Sequence, residues 1–209
     1  MIAPPERSAE RDAVIAALLP RVPVQGWTSA ALRGALSDLG LDPADAPLLF
    51  PGGAGELVEA FIDLADRQMA ETEAAPGFAA LRTSAKVRTL LADRLARLRP
   101  QREAMRRALA VLALPRNAAL AARCTARTVD AVWHAAGDQA ADFSWYTKRA
   151  TLAAVYGATL LFWLREAGDD DQAALAFLDR RLAGVARIGR LRGRLAARCG
   201  GRQGRPAAA

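Results

Sequence analysis

The chain has 209 residues, 52% hydrophobic and 24% charged, enough apolar content to bury one or two cores. Its two cysteines, Cys124 and Cys199, stand far apart and outside any metal or redox spacing, which excludes a disulfide-stapled scaffold and fits a reduced compartment. The net charge of +7 belongs to the end of the chain: nine arginines and no acid follow Asp179, and without them 20 basic residues face 22 acidic ones. The body is therefore not a basic nucleic-acid binder, and any anionic surface must meet the C-terminus.

No strand-like alternation persists, whereas helical periodicity recurs from end to end. The pattern predicts helices over 8–19, 28–39, 54–69, 84–98, 101–113, 117–135, 144–166 and 170–198. Pro20, Gly40, Pro100, Pro115, Gly137 and Gly168 punctuate them, since proline cannot continue a helix and glycine favours the position just past its end. The fold class predicted is all-α. We expect a helix-turn-helix-like segment over 8–70, a helical bundle over 78–183, a basic amphipathic helix over 184–199 and a disordered tail over 200–209. The first residues, from Met1 to Glu6, read as neither a signal nor a transit peptide. The apolar run from Ala150 to Leu164 is too short and too closely flanked by charge for a bilayer span, so it reads as a core helix.

Residues 28–64 can be laid over the DNA-binding pattern of TetR-type repressors. The segment that would read DNA, Leu41-Asp-Pro-Ala-Asp-Ala-Pro-Leu-Leu49, carries no side chain suited to base edges. Asp42 and Asp45 would face phosphates, which supply most of a DNA binder's affinity. Pro47 should interrupt so short a helix, at a cost of ~3 kcal/mol in an interior. Specific nucleic-acid binding is not expected, and packing scaffold is the plainer role.

At about 100° per residue, Trp145, Arg149, Leu152, Tyr156 and Trp163 share one helix face. Tyr146 lies about 100° away from Trp145, so the two rings are not expected to enter one pocket. Trp145, Tyr156 and Trp163 are either core aromatics or part of a binding surface. Arg149 needs an anion on that apolar face, because burying it unpaired is costly; a carboxylate or a phospholipid phosphate would serve. His134, the single histidine, has no partner at metal-ligand spacing, and no nucleophile elbow, phosphate loop or paired Glu-x-x-His motif occurs. We expect no enzyme activity and no cofactor.

Toward the C-terminus, Ile188, Leu191 and Leu195 form an apolar stripe, with Arg187, Arg190, Arg194 and Arg198 along one side. That is the pattern of an interfacial helix on anionic lipid, although a solvated tail or a non-specific RNA contact would also use it. Gly184 and Gly189 sit where the stripe turns and would permit a bend.

The stretch Asp142-Phe-Ser-Trp-Tyr-Thr-Lys-Arg-Ala-Thr-Leu-Ala-Ala-Val-Tyr156 resembles the signature of the accessory proteins of ubiquinone (coenzyme Q) biosynthesis, the ninth members of the Coq series. The likeness extends to Phe162-Trp-Leu164, Ala176-Phe-Leu-Asp-Arg-Arg181, Val132-Trp133 and Leu49-Phe-Pro-Gly-Gly53. It implies a TetR-like fold with a degenerate helix-turn-helix, and a non-catalytic, lipid-binding role. It implies a patch on Trp145, Tyr146 and Lys148 that docks the hydroxylase of the pathway, and a phospholipid headgroup contact at Arg149. The implied ligands are phospholipid and isoprenoid quinone intermediates, with Leu90, Leu91, Leu112, Val155 and Leu160 among plausible tunnel walls, each more readily read as ordinary core. A homodimer attached peripherally to an anionic membrane is expected, in the bacterial cytoplasm at the inner membrane or, in a eukaryote, on the matrix side of the mitochondrial inner membrane. Two alternatives stay open: a TetR-type regulator sensing an apolar ligand, and a membrane adaptor without a pocket.

Overall fold

The helix ends follow from local chemistry that the sequence displays. Ser8 and Thr28 accept hydrogen bonds from the backbone N–H groups of Arg11 (3.0 Å) and Ala31 (3.2 Å), the side-chain caps that satisfy orphan donors of a first turn. Gly40 and Gly137 take left-handed backbone angles, φ +70° and +79°. Each ends a helix in a Schellman arrangement, in which Leu41 N–H donates to Leu36 O and Asp138 N–H to Trp133 O, both at 3.0 Å.

A computed structural model describes residues 3–138, 143–166, 168 and 170–200, and for 143, 144 and 188–200 the backbone alone. The elements are α1 (Ala9–Leu18), α2 (Val22–Gln25), α3 (Ser29–Asp38), α4 (Ala46–Leu49), α5 (Gly53–Ala70), α6 (Thr83–Leu98), α7 (Arg102–Leu112), α8 (Ala118–Ala135), α9 (Phe143–Arg165) and α10 (Gln172–Gly200). Short 3-10 turns lie at Pro43–Asp45, Glu71–Ala74, Arg99–Gln101 and Pro115–Asn117. No strand occurs among the described residues. Two compact units are distinguished, Met1–Ala153 and Ala154–Ala209.

In the first unit, α1 packs on α3 and α5, and α5 packs along α6 and α8. Val14, Leu18, Leu36, Leu57, Val58, Leu90, Leu91 and Leu95 are buried at the centre, each such side chain stabilising the fold by ~1.5–3 kcal/mol. Gly55 allows α5 and α8 to approach, since a Cβ there would stand 3.1 Å from Leu120 Cδ2. Charges enter this core only in pairs. Arg11 lies over the Phe50 ring, pairs with Glu56 at 2.6 Å and donates to the Leu49 carbonyl, which ties α1 to the chain after α4. Asp66 and Arg94 form a buried ion pair at 2.6 Å, and Thr128 Oγ1 donates to Asp66 Oδ2 at 3.0 Å.

Pro47 does not stop helix formation outright. The 41–49 segment breaks into one 3-10 turn and one α turn, with Pro47 in the first turn of α4 where its missing N–H is harmless. A single helical turn at Val22–Gln25 was not predicted; Pro23 occupies the same tolerated position there.

Within the second unit, Trp163 is fully buried and its indole N–H donates to Asp171 Oδ1 at 2.8 Å. Phe162 and Phe177 stack with centroids 4.6 Å apart, and Arg181 lies over the Phe177 ring. The α10 backbone is helical through Gly184 and Gly189. Arg187 is exposed, while the side chains of Ile188, Arg190, Leu191, Arg194, Leu195 and Arg198 lie outside the described residues, as does the 201–209 tail.

Candidate functional site

The chain's most distinctive residues gather where α9 begins to run along α8. Alanines on both helices, Ala121, Ala122 and Ala126 facing Ala150 and Ala153, are too small to close the space between them. They leave a groove of about 540 Å³. One end of it is built by Val129 and Asp130 from α8 with Trp145, Tyr146 and Arg149 from α9.

The i, i+4 spacing of Trp145 and Arg149 puts one above the other on the helix. The guanidinium carbon lies 3.8 Å from the Trp145 ring centroid, within cation–π range. Arg149 Nε donates to Asp130 Oδ1, so the anion held by this arginine in the free protein is a carboxylate. The side chain is only 17% exposed. Its Nη1 is buried without a hydrogen-bond partner, an expensive state for a charged donor.

Tyr146 meets Trp145 edge to face, centroids 4.8 Å apart and planes at 75°, yet is 69% exposed. Both rings border one groove, but, as the angle between them requires, only one of them is turned to solvent. Trp145 is half-buried there, while Tyr146 is exposed. Lys148, adjacent to Arg149 in sequence, diverges from the groove: its ammonium pairs with Asp138 at 2.9 Å and lies 5.7 Å from the Trp133 ring centroid. Trp145, Tyr146 and Arg149 are thus brought together, and Lys148 sits beside them on another face. Asp142, read as a helix-start residue, lies outside the described residues.

The residues that the sequence offered as plausible tunnel walls, and more readily as ordinary core, do not line the groove. Leu90, Leu91, Leu112, Val155 and Leu160 are core residues, and the groove is made from alanines instead. Sequence reasoning missed Asp130 and the alanines; the recurrence of alanine on successive turns of both helices was the signal available.

Elsewhere, burial pushes the Cys124 thiol up to about 11, against the pull of Arg127, which leaves it protonated and unreactive at neutral pH. His134 is exposed on the last turn of α8. Among the described residues no group of histidines, cysteines and carboxylates could hold a metal ion, and no helix is long and apolar enough to cross a membrane.

Residues 118–189, which take in both helices of the groove, match the COQ9 family model. Over 183 residues the chain is 32% identical to the mitochondrial ubiquinone biosynthesis protein COQ9 of Homo sapiens, covering 84% of this chain and 57% of that protein. The Xenopus tropicalis protein of the same name is 35% identical over the same shares of each chain. The COQ9 protein of Schizosaccharomyces pombe is 27% identical, with 88% of this chain and 73% of that protein covered. The chain thus spans a little over half the length of these animal relatives. Among solved structures, a TetR transcriptional regulator from Nitrosomonas europaea superposes with a TM-score of 0.69 at 26% identity, covering 86% of this chain and 99% of that one. The all-α, TetR-like fold predicted from sequence is the fold of this chain.

Proposed function

The chain belongs to the COQ9 family of ubiquinone biosynthesis proteins, and we propose that it is a non-catalytic accessory protein of that pathway. It binds phospholipid and polyprenylated quinone intermediates at an anionic membrane surface and presents them to a hydroxylase. The observation that carries this reading is Arg149 at the end of an alanine-lined groove, oriented by Trp145 and Asp130 and retaining one buried guanidinium nitrogen without an acceptor. A headgroup phosphate or ring oxygen satisfies that nitrogen. The alanine walls desolvate an acyl or isoprenoid chain beside it, which is how a mostly apolar site with few polar groups fixes orientation.

Tyr146 supplies the docking contact. Exposed tyrosines are frequent anchors of protein interfaces because a large rigid ring is buried at little entropic cost. Oxidation chemistry belongs to the hydroxylase, and this chain needs no cofactor. Arg187 and the arginines at 190, 192, 194 and 198 attach α10 to anionic lipid, each contributing ~1 kcal/mol in a salt-sensitive way. A homodimer places two such helices on one membrane.

The TetR-like architecture favours a second reading, a regulator that binds DNA. Against it, the 42–48 segment exposes Asp42, Asp45, Pro47 and Leu48 and no arginine, lysine or amide, and Asp42 is occupied in capping the Ala44 N–H. Selection from a random DNA library separates the two readings, because a regulator enriches a sequence and the accessory protein does not.

The lipid reading is tested by gentle purification, solvent extraction and mass spectrometry, with an Arg149→Ala variant alongside. Wild type should carry phospholipid or polyprenylated intermediates, and the variant should be depleted of them. Empty extracts from both would overturn the reading and leave Arg149 as a structural partner of Asp130.

A further inference from the structure

A second cavity, of about 410 Å³, opens in the first unit on the side formed by α1, α2, α5, α6 and α7. It lies where the helix-turn-helix segment meets the bundle and shares no residue with the groove of α8 and α9. Leu19, Phe61, Leu64 and Leu98 give it apolar walls, and Pro20, Pro23 and Pro100 form part of its lining. Prolines hold their backbone with little freedom and no N–H, so this part of the cleft is pre-shaped.

Its polar groups define what it can hold. Arg94, only 1% exposed, lines it, together with Arg97 and the carboxamides of Gln68 and Gln101. Both guanidinium charges are already matched: Arg94 pairs with Asp66 at 2.6 Å, and Arg97 with Asp93 at 2.6 Å and Glu71 at 3.2 Å. An anion entering the cleft would have to compete with Asp66, which Thr128 also holds. A cation would meet two guanidinium groups and no acid among the lining residues. What the lining offers is N–H donors in excess of acceptors, without net charge to spend.

We propose that this cleft is a binding site for a small neutral molecule built on an apolar ring and carrying an acceptor oxygen, such as a carbonyl. The ring lies against Phe61 and Leu98, and the oxygen accepts from Gln101, Gln68 or Arg97 Nη2. At the packing density of protein interiors the space holds on the order of 15 non-hydrogen atoms. A ligand here touches Leu19 and Pro23 on one side and α6 on the other, so it braces the N-terminal helices against the bundle.

Trp27 reports on the site from behind its wall. Its ring packs on Phe61 with centroids 5.2 Å apart, and its indole N–H donates to the Ala104 carbonyl at 3.2 Å; both residues line the cleft. The experiment titrates acetophenone, a neutral aromatic ketone, into the full-length protein and follows the indole N–H resonances by NMR. A ligand of this size should bind with a Kd of about 1 mM, shifting the Trp27 resonance to saturation and leaving that of Trp163 in place. Benzoate and benzylamine should bind at least tenfold more weakly. Gln101→Ala should weaken acetophenone binding severalfold. Ala16→Phe, a change at an exposed position on the rim, should abolish the Trp27 shift while the remaining spectrum stays native. A Trp27 shift that does not saturate, that survives Ala16→Phe, or that benzoate reproduces at equal affinity would overturn the proposal.

Discussion

Replacing Asp66 with asparagine isolates one buried charge and asks what it costs. Burial pushes the Asp66 carboxyl up from 3.8 to about 6, against the pull of Arg94 and of the hydrogen bond from Thr128. With a folded-state pKa above the unfolded one, the native chain keeps a proton between pH ~4 and ~6 that the unfolded chain has released. The stability this group contributes is therefore present below pH ~4, is lost as the pH rises to ~6 and stays lost at neutrality. The whole effect is worth about 3 kcal/mol, and the part between pH 4.5 and 7 about 2 kcal/mol. Asparagine can still accept from Thr128 and face Arg94, but has no proton to lose. Urea denaturation of both proteins at the two pH values supplies the stability difference, in which the other carboxylates cancel. Wild type minus variant should fall by about 2 kcal/mol on going from pH 4.5 to pH 7. A flat difference, or one that grows with pH, would mean that Arg94 offsets the burial in full and that Asp66 costs the fold nothing at neutral pH.

Tyr146→Ala should leave stability within ~0.5 kcal/mol of wild type, as expected for an exposed side chain, while weakening hydroxylase binding at least tenfold; thermal melts and a titration with the purified hydroxylase read the two effects. At Gly55, valine should cost ~1–3 kcal/mol by overpacking against Leu120. Alanine there should cost much less, since the end of the leucine can shift and alanine regains up to ~1 kcal/mol of helix propensity; urea melts of the two variants test this order.

The helices were legible because their ends are written in single residues. Ser8 and Thr28 can cap, and Gly40 and Gly137 can adopt a positive φ, whatever packs around them. The 41–49 segment was legible for the same reason, through its prolines, although a short turn formed where interruption was predicted. The site was legible only in part. Trp145 and Arg149 share a face by helix geometry alone, and their contact follows from it. Asp130, 19 residues earlier on another helix, becomes the partner of Arg149 only through tertiary packing. The groove is a product of absent side chains, which leave no pattern of large apolar residues to find, whereas Leu90, Leu91 and Leu112, read more readily as core than as tunnel walls, do fill the core. Lys148 and Arg149 are neighbours in sequence, yet one residue of helical rotation sends them to different carboxylates, Asp138 and Asp130. The ion pair of Asp66 and Arg94 had no local signal at all, because its members stand on separate helices.

In the function proposed, this chain presents a membrane-held substrate to an oxidising partner. The most direct test of that function is the rate at which the hydroxylase oxidises a polyprenylated substrate embedded in vesicles of anionic phospholipid, with and without this protein. The rate should be higher when the protein is present. The gain should be lost with Tyr146→Ala, with Arg149→Ala, and at salt concentrations that release the basic helix. An equal rate with and without the protein, or a gain that both variants retain, would contradict the proposed function.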